Sequence, residues 1–137
     1  MAGAYCADFL SVIPELETRT TWERIFQPVC VLVLIVWFQP DRVNNPKHPT
    51  AYANGAFMLM RRRCYDAIGG HERVKSEINE DIHMARRAKE LGLRLRVVES
   101  EGLYQTRMYS TPRQAWRGWG RIFCGCLGSF KRVATAA

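Results

Sequence analysis

The stretch from Asn54 to Leu91 decides the fold: NGAFMLM (54–60), RRRCYDAIGG (61–70) and HERVKSEINEDIHMARRAKEL (71–91). Asn54-Gly55 turns the chain into Ala56–Met60, an all-apolar run of the kind found in strands buried on both faces. Arg61 to Ile68 predicts a short helix, and Gly69 supplies its stop. A polar loop leads to a second helix from Glu80 to Leu91. There Ile82, Ala85, Ala88 and Leu91 recur at helical spacing and form one apolar face, while Arg86, Arg87, Lys89 and Glu90 mostly face water. Strand, helix, loop and helix in this order read as part of an α/β fold. The second helix opens on adjacent carboxylates, Glu80 and Asp81, at the rim of that core.

Acids in the first turn of a helix are stabilised by its dipole, by about 0.3–1 kcal/mol. Helix-start chemistry alone therefore accounts for the pair. The functional alternative is a general base, an ionised carboxylate that takes a proton from an attacking hydroxyl. The dipole keeps such a group ionised but weakens it as a base, so positioning would have to supply much of the benefit.

Upstream, Ala7 to Ile13 is a strand or loop ending at Pro14. Thr20 and Glu23 have the spacing of a capping box, which predicts a helix from about Thr21 to Phe38. Its second half, Val29–Phe38, is apolar all round, and Gln27-Pro28 interrupts the apolar run on its N-terminal side. A buried strand or helix, an interfacial or re-entrant membrane helix and a membrane span all remain open for it. Gln39 to Thr50 carries three prolines and reads as a loop. Downstream, Gly92 ends the second helix, and Leu93–Val98 alternates like a strand. Gly102–Tyr109 reads as a further strand or an extended rim segment. Thr111-Pro112 is a helix start. The helix after it carries Trp116, Trp119, Ile122 or Phe123, and Cys126 or Leu127 on one face. Arg113, Arg117 and Arg121 stack along another. The tail from Ser129 carries no obvious structure.

The length of 137 residues suits one domain with a real core. A formal charge of +7 points to anionic partners: nucleic acid, nucleotide phosphates or lipid headgroups. Five cysteines without a C-x-x-C pair read as reduced thiols in a cytosolic setting. The first residues do not read as a secretory signal. His71 and His83 are isolated and read as structural. No Walker loop, G-x-G-x-x-G, nucleophile elbow or zinc ligand set is present.

Four ordered blocks carry a resemblance: N-G-A-F-M-L-M-R-R, Y-D-A-I-G-G-H-E-R-V, N-E-D-I-H-M-A-R-R-A-K-E-L-G, and R-M-Y followed by W-R-G-W-G-R. The upstream T-W-E-R-I-F-Q-P and D-R-V-N-N-P segments fit them. Over Ala7 to Phe130 the chain resembles the family 2 glycosyltransferases. The closest flavour is the membrane-associated branch with ceramide-glucosyltransferase-like, hopanoid-associated and carotenoid enzymes. The resemblance implies a GT-A-like α/β sandwich that binds a nucleotide-sugar, with interfacial or membrane-associated helices. It implies inverting transfer of a sugar to a lipid hydroxyl, in glycolipid biosynthesis, at a membrane-associated site on the cytoplasmic side. Asp81 would be the catalytic base and Glu80 its support, with Asn54 and Gly55 beside the substrate pocket. The family's Gln-x-x-Arg-Trp motif matches loosely, because Gly118 separates Arg117 from Trp119. Gln114, Trp116, Arg117 and Trp119 would bind substrate there.

The family also implies Mg²⁺ or Mn²⁺ on the donor diphosphate, held by an Asp-x-Asp motif. The sequence contains no Asp-x-Asp, and Glu99-Ser100-Glu101, of similar spacing, comes after the base. No metal ligand is therefore assigned. The resemblance implies that residues 1–137 are the catalytic-base half of a domain. The nucleotide-binding N-terminal half would be absent or supplied by a separate chain, and transfer by this chain alone would be weak or nil. No nucleic-acid partner is expected from the resemblance. The competing class is a non-enzymatic basic protein of membrane surfaces or nucleic acid, resting on the charge and the Arg113/Arg117/Arg121 stripe.

Overall fold

A computed structural model describes residues 6–134, with side chains as far as Cys126. The strands are β1 (Phe9–Ile13), β2 (Glu15–Leu16), β3 (Met58–Met60), β4 (Leu95–Glu99) and β5 (Gln105–Thr106). The helices are α1 (Thr21–Phe38), α2 (Pro40–Asn44), α3 (Arg62–Ile68), α4 (Glu80–Glu90) and α5 (Pro112–Ala134). β1 is the middle strand of a small mixed sheet. It runs antiparallel to β3, with Leu10 opposite Leu59, and parallel to β4, with Ser11 opposite Val97. Past Pro14 the chain continues as β2, which pairs in parallel with β5.

The strand buried on both faces is thus β1, whose Phe9 and Leu10 are fully buried. β3 is an edge strand, contrary to the reading of Ala56–Met60. Among the described residues it has one neighbour, and Leu59 stays 42% exposed. An apolar run does not report how many partners flank it. The outer edge of β4 is covered instead by a side chain: Asn44 of α2 donates to the Val97 carbonyl and accepts from its N–H, at 2.9 and 2.7 Å.

The Gln39–Thr50 segment is not all loop. Its first residues form α2, because Pro40 at the first helical position lacks only an N–H the helix would not use. The remainder is tied down by Lys89, whose ammonium donates to the carbonyls of Arg42, Asn45, His48 and Thr50 at 2.6–3.2 Å. α3 ends at Gly69 in the left-handed region, at φ +86°, where a Cβ would be strained.

α4 buries Met84, Ala85 and Ala88 in one core with β1, β4 and α3, and Ile82 in a second with α1 and α5. Leu91, expected on this face, lies at the C-terminal end and is exposed, while Met84 fills the core. α1 runs unbroken through Pro28. The Glu23 carboxylate accepts from the backbone N–H groups of Arg19 and Thr20, closing the acid's half of the expected capping box. One turn on, Gln27 accepts from Trp119 Nε1 of α5 at 2.8 Å. These anchors hold the turn before the proline, and buried Cys30 and Leu34 pack the turns after it, so the missing hydrogen bond does not break the helix. α5 begins where Thr111 caps the Gln114 N–H and continues to Ala134, so most of the segment from Ser129 is helical. The side chain of Leu127 and residues 135–137 lie outside the described part.

Candidate functional site

Two sequence-distant elements meet at Asp81. The Ser11 hydroxyl of β1 accepts from the Asn54 N–H at 2.7 Å and donates to its carbonyl at 3.2 Å. Asn54 Oδ1 then accepts from the Ala56 N–H, setting the turn. This places the Gly55 N–H against Asp81 Oδ2 at 2.8 Å. A Cβ on Gly55 would come within 3.2 Å of that oxygen, so glycine permits the close approach. The other carboxylate oxygen accepts from the Ile82 N–H at 2.8 Å.

Asp81 opens into a cavity of about 730 Å³, in the size range of small-molecule sites. One wall is α1, through Pro28, Val31, Ile35 and Phe38, and another is α5, through Trp119 and Ile122. Tyr52, Asn54, Gly55 and Asn79 line the cavity together with Asp81, and Arg24, Arg121 and Tyr109 add further polar groups. Most of the lining is hydrocarbon. Burial pushes the Asp81 carboxyl up from its ordinary value, partly offset by the Ile82 and Gly55 amides; the neighbouring Glu80 charge adds to the rise. Burial, with the Asp81 charge behind it, also raises the Tyr52 phenol, which stays protonated. A carboxylate of raised basicity facing an apolar cavity can accept a proton from a hydroxyl seated there.

Four of the residues singled out from sequence therefore converge: Asp81, Asn54, Gly55 and Trp119. Glu80 is exposed and outside the lining. Gln114 is exposed and turned back to the Ser110 hydroxyl and N–H. Arg117 is exposed on α5, and Trp116 is 74% exposed. Neither lines the cavity. Trp116 also leaves the apolar face expected for α5. Ala115, Trp119 and Cys126 form that face with partly buried Ile122 and Phe123, and Trp116 lies at its outer margin, about 100° round the helix from Ala115.

The sequence assigns no role to Tyr52, Asn79 or Tyr109, whereas it places Arg121 in the basic Arg113/Arg117/Arg121 stripe. Asn79 precedes α4 and donates from Nδ2 to the Ile122 carbonyl at 3.0 Å, joining α4 to α5. Arg121, one turn beyond Arg117, is the α5 arginine at the cavity. Only its four-residue spacing hinted at this.

Among the described residues no three His, Cys, Asp or Glu side chains gather as metal ligands. Among the described residues Asp81 is the one acid on the cavity wall. These residues do not by themselves fit the divalent ion expected from the resemblance.

A model of glycosyl transferase family group 2 matches residues 13–136, nearly the whole chain. No curated protein and no solved structure matches it. The small mixed α/β sheet and the match over residues 13–136 lead to one conclusion: the chain belongs to the family 2 glycosyl transferases.

Proposed function

We propose that the chain carries the catalytic-base half of an inverting transferase, one that moves a sugar from a nucleotide-sugar to a lipid-type hydroxyl at a membrane. The observation that carries this is the Asp81 carboxylate, held by the Gly55 N–H and facing a largely apolar cavity. The acceptor's hydrocarbon lies along α1, at Val31, Ile35 and Phe38. Its hydroxyl meets Asp81, which takes the proton as the oxygen attacks the anomeric carbon. The bond to the nucleoside diphosphate breaks on the opposite side. Arg121, with Arg24 across the cavity, offers positive charge to the departing diphosphate. The donor's nucleotide is held by a half of the domain that this chain does not carry, on the cytoplasmic side of the membrane.

The test is Asp81→Asn introduced into the gene in its own cells. Membranes from these cells are assayed for transfer of labelled sugar from UDP- and GDP-sugars into solvent-extractable lipid. Transfer falls by about two orders of magnitude or more, the scale of a general base, while the protein's amount is unchanged. Full transfer by the Asn variant overturns the assignment.

A further inference from the structure

α1 is patterned inside out. Its buried positions are Glu23, Gln27, Cys30 and Leu34, two of them strongly polar. Its exposed positions from Ile25 to Val36 are Ile25, Pro28, Val29, Leu32, Val33, Ile35 and Val36, all apolar. A helix on the surface of a water-soluble domain shows the reverse order. The polar buried groups are satisfied: Glu23 by Arg107 at 2.7 Å, and Gln27 by Trp119. The helix is thus fastened through its polar side and presents hydrocarbon outward for about 17 Å of its length. Among the described residues α1 is the one helix long and apolar enough to cross a membrane. Yet its packed side meets the domain near both ends, at Glu23 and at Phe38 against Tyr52. A helix held against a folded domain in this way lies along a surface.

We propose that the outward stripe Ile25, Val29, Leu32 and Val36 is an in-plane seat in the surface of an anionic bilayer. The charge beside α1 selects that occupant. α5 packs beside α1 and carries exposed Arg113 and Arg117 with exposed Trp116 between them. Arginines beside a tryptophan suit a headgroup layer, with hydrocarbon below for the apolar stripe. Pro28 and Ile35 belong both to the exposed side of α1 and to the cavity wall. Seating α1 in the bilayer therefore brings the cavity rim to the lipid, so a lipid enters sideways without crossing water. The proposal rests on the membrane location given above and not on the chemistry at Asp81.

The full chain is mixed with vesicles of phosphatidylcholine, with and without about one-third phosphatidylglycerol, and floated. It rises with the anionic vesicles. Val29→Glu with Val36→Glu lowers the bound fraction about tenfold or more, as expected for charges placed below the headgroups. Arg113→Gln with Arg117→Gln weakens binding and reduces its salt dependence. Benzoylphenylalanine in place of Leu32 crosslinks to acyl chains, while in place of buried Leu34 it does not. This readout stands even if the Glu variants fail to fold. Asp81→Asn floats like the wild type, so loss of transfer and loss of seating are told apart. Three results overturn the proposal: no flotation, with a dimer covering the stripe in solution; flotation unchanged in the Val29/Val36 variant; or protease protection of α1 on both sides, which means a span.

Discussion

Gly118 is the residue that parts Arg117 from Trp119, and the structure gives it a steric reason. On α5 a Cβ at Gly118 would overlap the ring and hydroxyl of Tyr109, well inside any contact distance. Tyr109 itself packs against Trp119 and its neighbours and lines the cavity. Gly120, two residues on and on the same helix, has nothing near its missing Cβ. Replacing a glycine by alanine inside a helix ordinarily stabilises by about 1 kcal/mol. Gly120→Ala should gain that amount. Gly118→Ala gains the same helix term but must push the Tyr109 ring aside, an overpacking cost of about 1–3 kcal/mol. The net is from near zero to about 2 kcal/mol destabilising, so the two variants should differ by about 1–3 kcal/mol. For a domain of this size that separates their melting temperatures by about 4–12 °C. Thermal unfolding followed by circular dichroism, both variants beside the wild type, reads the difference directly. Equal stabilisation by the two alanines would refute the packing of Tyr109 on the helix.

Three further outcomes follow from named contacts. The Arg107 guanidinium, with the Arg19 N–H, holds the Glu23 carboxyl down from 4.5 to about 2. Its folded value lies below the unfolded one, so its stabilisation is complete above about pH 4.5 and is lost as pH falls toward about 2; Glu23→Gln flattens this limb of an acid-unfolding curve. Lys89→Met strips four carbonyls of their shared donor, destabilising the fold by about 1–3 kcal/mol and speeding amide exchange at residues 45–50. Burial raises Asp81, so its ionisation opposes folding as pH rises: Asp81→Asn should keep or raise the melting temperature at neutral pH, and the acid limb of the transfer rate should lie above pH 3.8.

Local signals in the chain were enough for the boundaries of α1, α3 and α4, because each rests on a nearby cause: the Thr20/Glu23 spacing, the glycine after Ile68, the polar start at Asn79-Glu80. The family resemblance implies only that Asn54 and Gly55 lie beside the substrate pocket; their contact with Asp81, an N–H fitted to a carboxylate 26 residues away, exists only after folding. The α2 helix shows the opposite case: three prolines suggested a loop, and one of them starts a helix.

By itself the sequence determined α1, α3, α4 and the start of α5, the apolar character of Val29–Phe38 and membership in a transferase family, since periodicity, composition and ordered motifs are properties of neighbouring residues. Only the tertiary structure decided that β1 and not β3 is the buried strand, that Arg121 and Tyr52 reach the cavity while Arg117 and Trp116 do not, and that α1 turns its hydrocarbon outward. Each of these depends on which side of an element is covered. Coverage is set by partners far away along the chain, whose identity no local pattern encodes.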